Sequence, residues 1–225
     1  MTTQIPLPTI AILCGTGKEG PGLALRWAKA GYHIIIGSRQ KEKAEATAAE
    51  INARLGTRNV SGEENSLAAA QADLSVLTVV QSAQLEALES VKHALQGKLL
   101  VDATARVDFR DPRPPAPPAA ARQAQDLLGS GVKVVAAFQN VPAHVLKKDL
   151  EQEIATDVLV CSDDLAAAQQ VIQLARAGGM HAFYAGKLDN ALVVEGLTAI
   201  LISLNQHYGT RNASLSLTGL PVNYE

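Results

Sequence analysis

Thr9-Ile10-Ala11-Ile12-Leu13-Cys14-Gly15-Thr16-Gly17-Lys18-Glu19-Gly20 runs from an apolar stretch into Gly-x-Gly-x-x-Gly and on toward a helix-forming segment. The spacing reads as the strand-turn-helix of a dinucleotide site: Gly15 permits the tight turn, Gly17 lets the main chain approach a pyrophosphate, and Gly20 lets the helix pack on the strand. The helix, expected over about 17–31, offers free N–H groups to an anion. An ordinary glycine-rich turn is the competing reading. The strand before the turn, the helix after it and a second strand at 32–37 favour the dinucleotide site.

The second strand ends at Gly37-Ser38-Arg39, where an NAD site would place a carboxylate for the ribose 2′-OH. Ser38 supplies a hydroxyl instead, Arg39 a guanidinium and Lys43 a further cation one helical turn on, which are the donors a 2′-phosphate needs. The segment therefore points to NADP. The alternative is that Arg39 and Lys43 are solvated charges at a helix start, beside Glu42 and Glu45.

The 225 residues suffice for one large domain or a domain with a small lobe. A 47% hydrophobic fraction with only 4% aromatics suits packed α/β layers, and the net charge of −2 gives no reason to expect nucleic acid or an anionic membrane as partner. Cys14 and Cys161 fall in predicted strands without disulfide or metal-site spacing, so reduced core thiols are expected. Met1-Thr2-Thr3-Gln4-Ile5-Pro6 lacks the basic start and apolar core of a signal, and no uncharged run spans a bilayer. A soluble cytoplasmic protein is expected.

Strand and helix patterns alternate along the chain, which predicts an α/β fold: a Rossmann-type doubly wound, mostly parallel sheet with a small C-terminal α/β extension. Residues 1–145 are expected to form the NADP-binding domain and 146–225 a small lobe that extends the sheet and packs a long helix. Further strands are predicted at 59–61, 74–80, 99–103, 132–138, 157–161 and 181–184. Helices are predicted at 39–55, 83–95, 119–128, 165–177 and 190–208. The last helix packs on the sheet or on a second copy in a homodimer. Asp111 to Pro118 is proline-rich and must be a loop, either a stiff connector or part of a lid.

The reactive end of a bound dinucleotide should reach the ends of the central strands, near Thr78-Val79-Val80, Thr104-Ala105 and Gln139-Asn140-Val141-Pro142-Ala143-His144. Hydride transfer needs two rings held face to face, so positioning and water exclusion supply much of the catalysis and no acidic triad is required. Gln139 and Asn140 either orient a second substrate or cap the following helix. His144 is a candidate general acid or a hydrogen-bonded structural group. Asp163-Asp164 starts a helix, and His181 and His207 have no clustered partners. No hydrolase elbow, phosphate-binding lysine loop or metal-ligand cluster is present, and Asp73 and Asp102 do not make a glycosidase pair.

The ordered set of these segments resembles the oxidoreductases that pass hydride between NADP(H) and the deazaflavin coenzyme F-420. It includes Gly15 to Gly20 with Gly22-Leu23-Ala24-Leu25-Arg26, Gly37-Ser38-Arg39 with Glu42-Lys43-Ala44, Val76-Leu77-Thr78-Val79 and Val134-Val135-Ala136-Ala137. Val158 to Asp164, Ala185 to Asn190 and Leu197 to Asn205 extend it almost to the end of the chain. The resemblance implies that Gly15, Thr16, Gly17, Lys18 and Glu19 hold the pyrophosphate and Ser38, Arg39 and Lys43 the 2′-phosphate. It implies that Val79, Ala83, Ala105 and Ala143 lie along the rest of NADP, and that Gln139, Asn140, Val141 and Pro142 approach the acceptor. Val80 stands where the family usually has proline and Gln139 where some members have histidine. Reduction of an ordinary flavin or of ferric iron, or NADP sensing without catalysis, are the alternative functions.

Overall fold

A computed structural model describes residues 6–220. The expectation drawn from the first residues of the chain lies largely outside them. The strands are β1 (Ile10–Leu13), β2 (Ile34–Ser38), β3 (Val60–Glu64), β4 (Leu74–Leu77), β5 (Leu99–Asp102), β6 (Lys133–Ala136), β7 (Asp157–Ser162) and β8 (His181–Tyr184). The helices are α1 (Gly20–Lys29), α2 (Lys41–Leu55), α3 (Asn65–Gln71), α4 (Gln84–Val91), α5 (Ala120–Leu128), α6 (Leu165–Ala177) and α7 (Ala191–His207). The strands form one sheet in the order β3-β2-β1-β4-β5-β6-β7-β8. Neighbours run parallel except β6 and β7, which pair antiparallel. The doubly wound α/β architecture read from the sequence is the architecture observed.

Successive strand residues point to opposite faces, so β1 alone feeds two cores. Ile10 and Ile12 join Leu23 and Trp27 of α1, Ile51 of α2 and Leu174 of α6 on one face. Ala11 and Leu13 join Ala68 of α3, Leu88 of α4, Ala121 of α5 and Val194 of α7 on the other. Trp27 ties distant parts of the first core: its indole N–H donates to Leu174 O at 2.8 Å and its ring meets Phe138 edge-on at 5.8 Å. Truncating a buried tryptophan to alanine costs about 3–5 kcal/mol.

Several boundaries differ from expectation. Helix α1 begins at Gly20 rather than near residue 17, because the five residues from Gly15 to Glu19 are consumed by the turn. Strand β4 stops at Leu77, short of Val80, because its partner β1 ends at Leu13 and Cys14 turns away with φ 55°. Cys14 is therefore a half-buried turn residue rather than a strand thiol, while Cys161 lies buried in β7. The third strand runs on to Glu64, and α3, which the sequence reading lacks, follows at once.

One stretch, Leu188–His207, is long and apolar enough to cross a membrane by length and composition. It is interrupted by Asp189 and Glu195, and α7 buries Ala191, Val194, Thr198 and Leu201 within the protein.

Candidate active site

Parallel pairing of β2, β1, β4, β5 and β6 brings the C-terminal ends of all five strands to one edge. The connection reverses between β1 and β4, the switch point at which such sheets bind ligands. Every predicted cofactor and substrate residue lies on that edge.

At its centre, Gly15 N donates to Gly37 O at 2.8 Å and fixes the turn against β2. A Cβ on Gly15 would stand 2.5 Å from Ile12 O, and one on Gly20 would stand 2.5 Å from Gly15 O. Both glycines are thus required by the protein's own packing. A Cβ on Gly17 would meet only Cys14 O, at 3.9 Å, so the middle glycine borders open space. The amides of Gly17, Lys18 and Glu19 have no acceptor among the described residues. Open space over the middle glycine and a row of free donors at the start of α1 fit a pyrophosphate.

A residue missed in the sequence supports this cradle. Asn65, the first residue of α3, accepts from Cys14 N at 2.9 Å through Oδ1, and its Nδ2 contacts Cys14 Sγ at 3.5 Å. A Cβ on Gly37 would fall 2.7 Å from the same Oδ1, so Gly37 makes room for Asn65. The only sequence signal was an asparagine before Ser66-Leu67-Ala68-Ala69-Ala70, a helix-start composition.

Next to the cradle, Ser38 is buried at the end of β2 and its Oγ accepts from Gln40 N at 3.2 Å, which leaves the hydroxyl proton available. Arg39 and Lys43 are exposed, and neither side chain pairs with a described residue. Lys41 does pair, with Glu63 at 2.9 Å, and so neutralises the acidic end of β3 beside this corner. The arrangement leaves one hydroxyl and two uncommitted cations where a 2′-phosphate would sit.

On the other side of the switch point, Val79, Ala83, Ala105, Pro142 and Ala143 are half-buried and Val141 is buried, in the loops after β4, β5 and β6. Gln139 and Asn140 are both buried. Gln139 Nε2 donates to Asp102 O at 3.1 Å, and Asn140 Nδ2 donates to Val194 O at 3.0 Å and Thr198 Oγ1 at 2.9 Å. Because each amide nitrogen is engaged by a backbone carbonyl, each amide oxygen is the end left over. Gln139 Oε1 and Asn140 Oδ1 are enclosed and have no partner. The two residues do not cap a helix through their side chains. The atom left unpaired on each side chain is an acceptor.

Asp102 ends β5 inside this region. Its carboxylate accepts from Thr104 N at 2.9 Å and from Gln84 Nε2, and burial pushes its pKa up. His144 is exposed and meets Asn212 Oδ1 at 2.9 Å. Asp164 caps α6 by accepting from Ala167 N at 2.9 Å, as a helix-start aspartate does. His181 lies 3.5 Å from Glu153, and His207 stacks edge-on against Tyr208.

The sequence profile of the coenzyme F-420-dependent NADP oxidoreductases matches residues 9–106, the part carrying the cradle and the cationic corner. An F-420-dependent NADP reductase from Methanothermobacter marburgensis is 40% identical over 224 residues, covering 94% of this chain and 99% of its own. The chain belongs to the F-420-dependent NADP reductase family. Another member, from Methanocaldococcus jannaschii, is 38% identical over 225 residues and is covered over 99% of its length. Among solved structures, a candidate F-420-dependent NADP reductase from Arthrobacter sp. FB24 superposes with a TM-score of 0.77 at 27% identity, covering 94% of this chain and all of that one. The F-420-dependent NADP reductase likeness is therefore nearly end to end in both sequence and fold.

Proposed function

We propose that the protein is an NADP-dependent oxidoreductase that transfers hydride between NADP(H) and coenzyme F-420. The observation that carries this reading is the pair of uncommitted cations, Arg39 and Lys43, beside the buried Ser38 hydroxyl at the end of β2. Near full-length identity to F-420-dependent NADP reductases supports the acceptor.

When bound, the nicotinamide would supply a hydride from C4 and the deazaflavin would take it at C5, with one proton taken up from solvent to complete the reduced acceptor. The chain's own residues bind, orient and exclude water. Backbone amides from Thr16 to Glu19 hold the pyrophosphate, with Gly15 shaping the turn. Ser38, Arg39 and Lys43 hold the 2′-phosphate, and Val79, Ala83, Ala105 and Ala143 line the remainder. Gln139, Asn140, Val141 and Pro142 form the acceptor wall. No side chain is assigned a proton-transfer step, since positioning of two rings supplies the catalysis.

Residues 1–145 form the cofactor domain in this reading and 146–225 the smaller lobe. A cytoplasmic homodimer fits it as well. Val193, Ile200, Leu204 and Tyr208 leave an exposed apolar face on α7, of the kind that a second copy covers.

Anaerobic mixing with NADPH and F-420 tests the proposal. Bleaching of the oxidised deazaflavin band is expected. Turnover of ordinary flavin with none of F-420 would move the acceptor assignment to the flavin alternative.

A further inference from the structure

Glu19 is an unusual residue for an anion cradle. It occupies the N-cap position of α1, inside the turn, yet its side chain accepts no capping hydrogen bond. Its Oε1 is enclosed and has no partner. A carboxylate in the same turn as the free amides of Gly17 and Lys18 would lie close to a pyrophosphate held there, with like charges repelling in a partly dehydrated space.

We propose that Glu19 enters the dinucleotide complex in its protonated form, so that binding of NADP(H) is linked to proton uptake. A neutral carboxyl removes the repulsion. The inference rests on the reading of this turn as the NADP pyrophosphate site and adds a proton-dependent affinity to it.

The surrounding charges do not offset ionisation. Lys18 precedes Glu19 in the turn but is exposed and unpaired with it. On α1, Arg26 is committed to the carbonyls of Leu146, Gln152, Gly178 and Asp149. Arg39 after β2 and Lys43 on α2 form no ion pair with Glu19, nor does Lys147 on the short turn packed against α1. His144, before that turn, is engaged with Asn212. Burial therefore acts unopposed and raises the Glu19 pKa to about 8.

The test is calorimetric titration of the whole protein with NADP+ at about pH 8.5 in two buffers of different ionisation enthalpy, followed by the affinity between about pH 7 and pH 9. Uptake of most of one proton per site is expected at the higher pH, with affinity falling about tenfold from pH 7 to pH 9. Glu19→Gln should abolish both the uptake and the slope. Tight binding by the wild type with no proton uptake, or an unchanged slope in Glu19→Gln, would overturn the proposal while leaving the cofactor assignment intact. Failure of the wild type to bind NADP+ at about pH 7 would instead overturn the cofactor reading beneath it.

Discussion

Glu195 on α7 meets Arg106 Nε at 3.2 Å, in an ion pair whose side chains are 0% and 10% exposed. The same carboxylate accepts from Arg106 N at 3.2 Å and Ala120 N at 2.6 Å, which flank the proline-rich loop on either side. One buried residue thus closes the base of a long irregular segment. Glu195→Ala strands the Arg106 charge and the Ala120 amide, and breaking a buried pair in this way costs about 3–5 kcal/mol. A large drop in melting temperature is expected, read by calorimetry. An unchanged melting temperature would show that the loop is held by other contacts.

The 2′-phosphate corner makes a separable prediction. Arg39→Ala together with Lys43→Ala should weaken NADPH by about 100-fold or more, at about 1.5–3 kcal/mol for each charge-assisted contact. NADH should be nearly unaffected. Dissociation constants for both cofactors decide it, and equal losses would contradict the assigned corner.

Two of the turn glycines, Gly17 and Gly20, should separate stability from binding. Gly20→Ala places a methyl 2.5 Å from Gly15 O, so it should lower the melting temperature or prevent folding. Gly17→Ala has open space and should fold with near wild-type stability while weakening NADPH. Thermal melts with and without cofactor test the contrast.

Stability should also depend on Glu19. Its pKa is raised from the ordinary 4.5 to about 8, so the folded state binds more protons than the unfolded state between these values. Stability of the free protein is then greatest below about pH 4.5 as far as this group is concerned, and is lost as pH rises toward about 8. The difference in melting temperature between Glu19→Gln and wild type should grow across this window, in favour of the variant.

Asn65→Ala removes the acceptor for Cys14 N and should loosen the cradle from the side. A stability loss of about 1–3 kcal/mol follows from the stranded amide. NADPH binding should weaken along with it. Unaltered binding would mean that the turn keeps its shape without Asn65.

Much of this was legible in the chain because the strands are short apolar runs flanked by helix-forming segments. The Ile10 to Leu13 run, the glycine turn and Ser38-Arg39 place the cofactor edge directly. Helix α3 escaped because its seven residues carry no clear apolar period, and β3 is expected to end at Ser61 because Gly62-Glu63-Glu64 is polar for a strand. Its Gly62 instead lets α2 pack closely, since a Cβ there would fall 2.2 Å from Glu45 N. The unpartnered oxygens of Glu19, Gln139 and Asn140 had no sequence signature, because they arise from which atoms the fold leaves over.

A crystal structure of the NADP+ complex tests the central claim most directly. The pyrophosphate should lie over Gly17 with the 2′-phosphate within hydrogen-bond reach of Ser38 Oγ and the Arg39 guanidinium. The nicotinamide should lie toward Gln139 and Asn140. A dinucleotide bound elsewhere, or one whose 2′-phosphate points away from Arg39 and Lys43, would contradict the account.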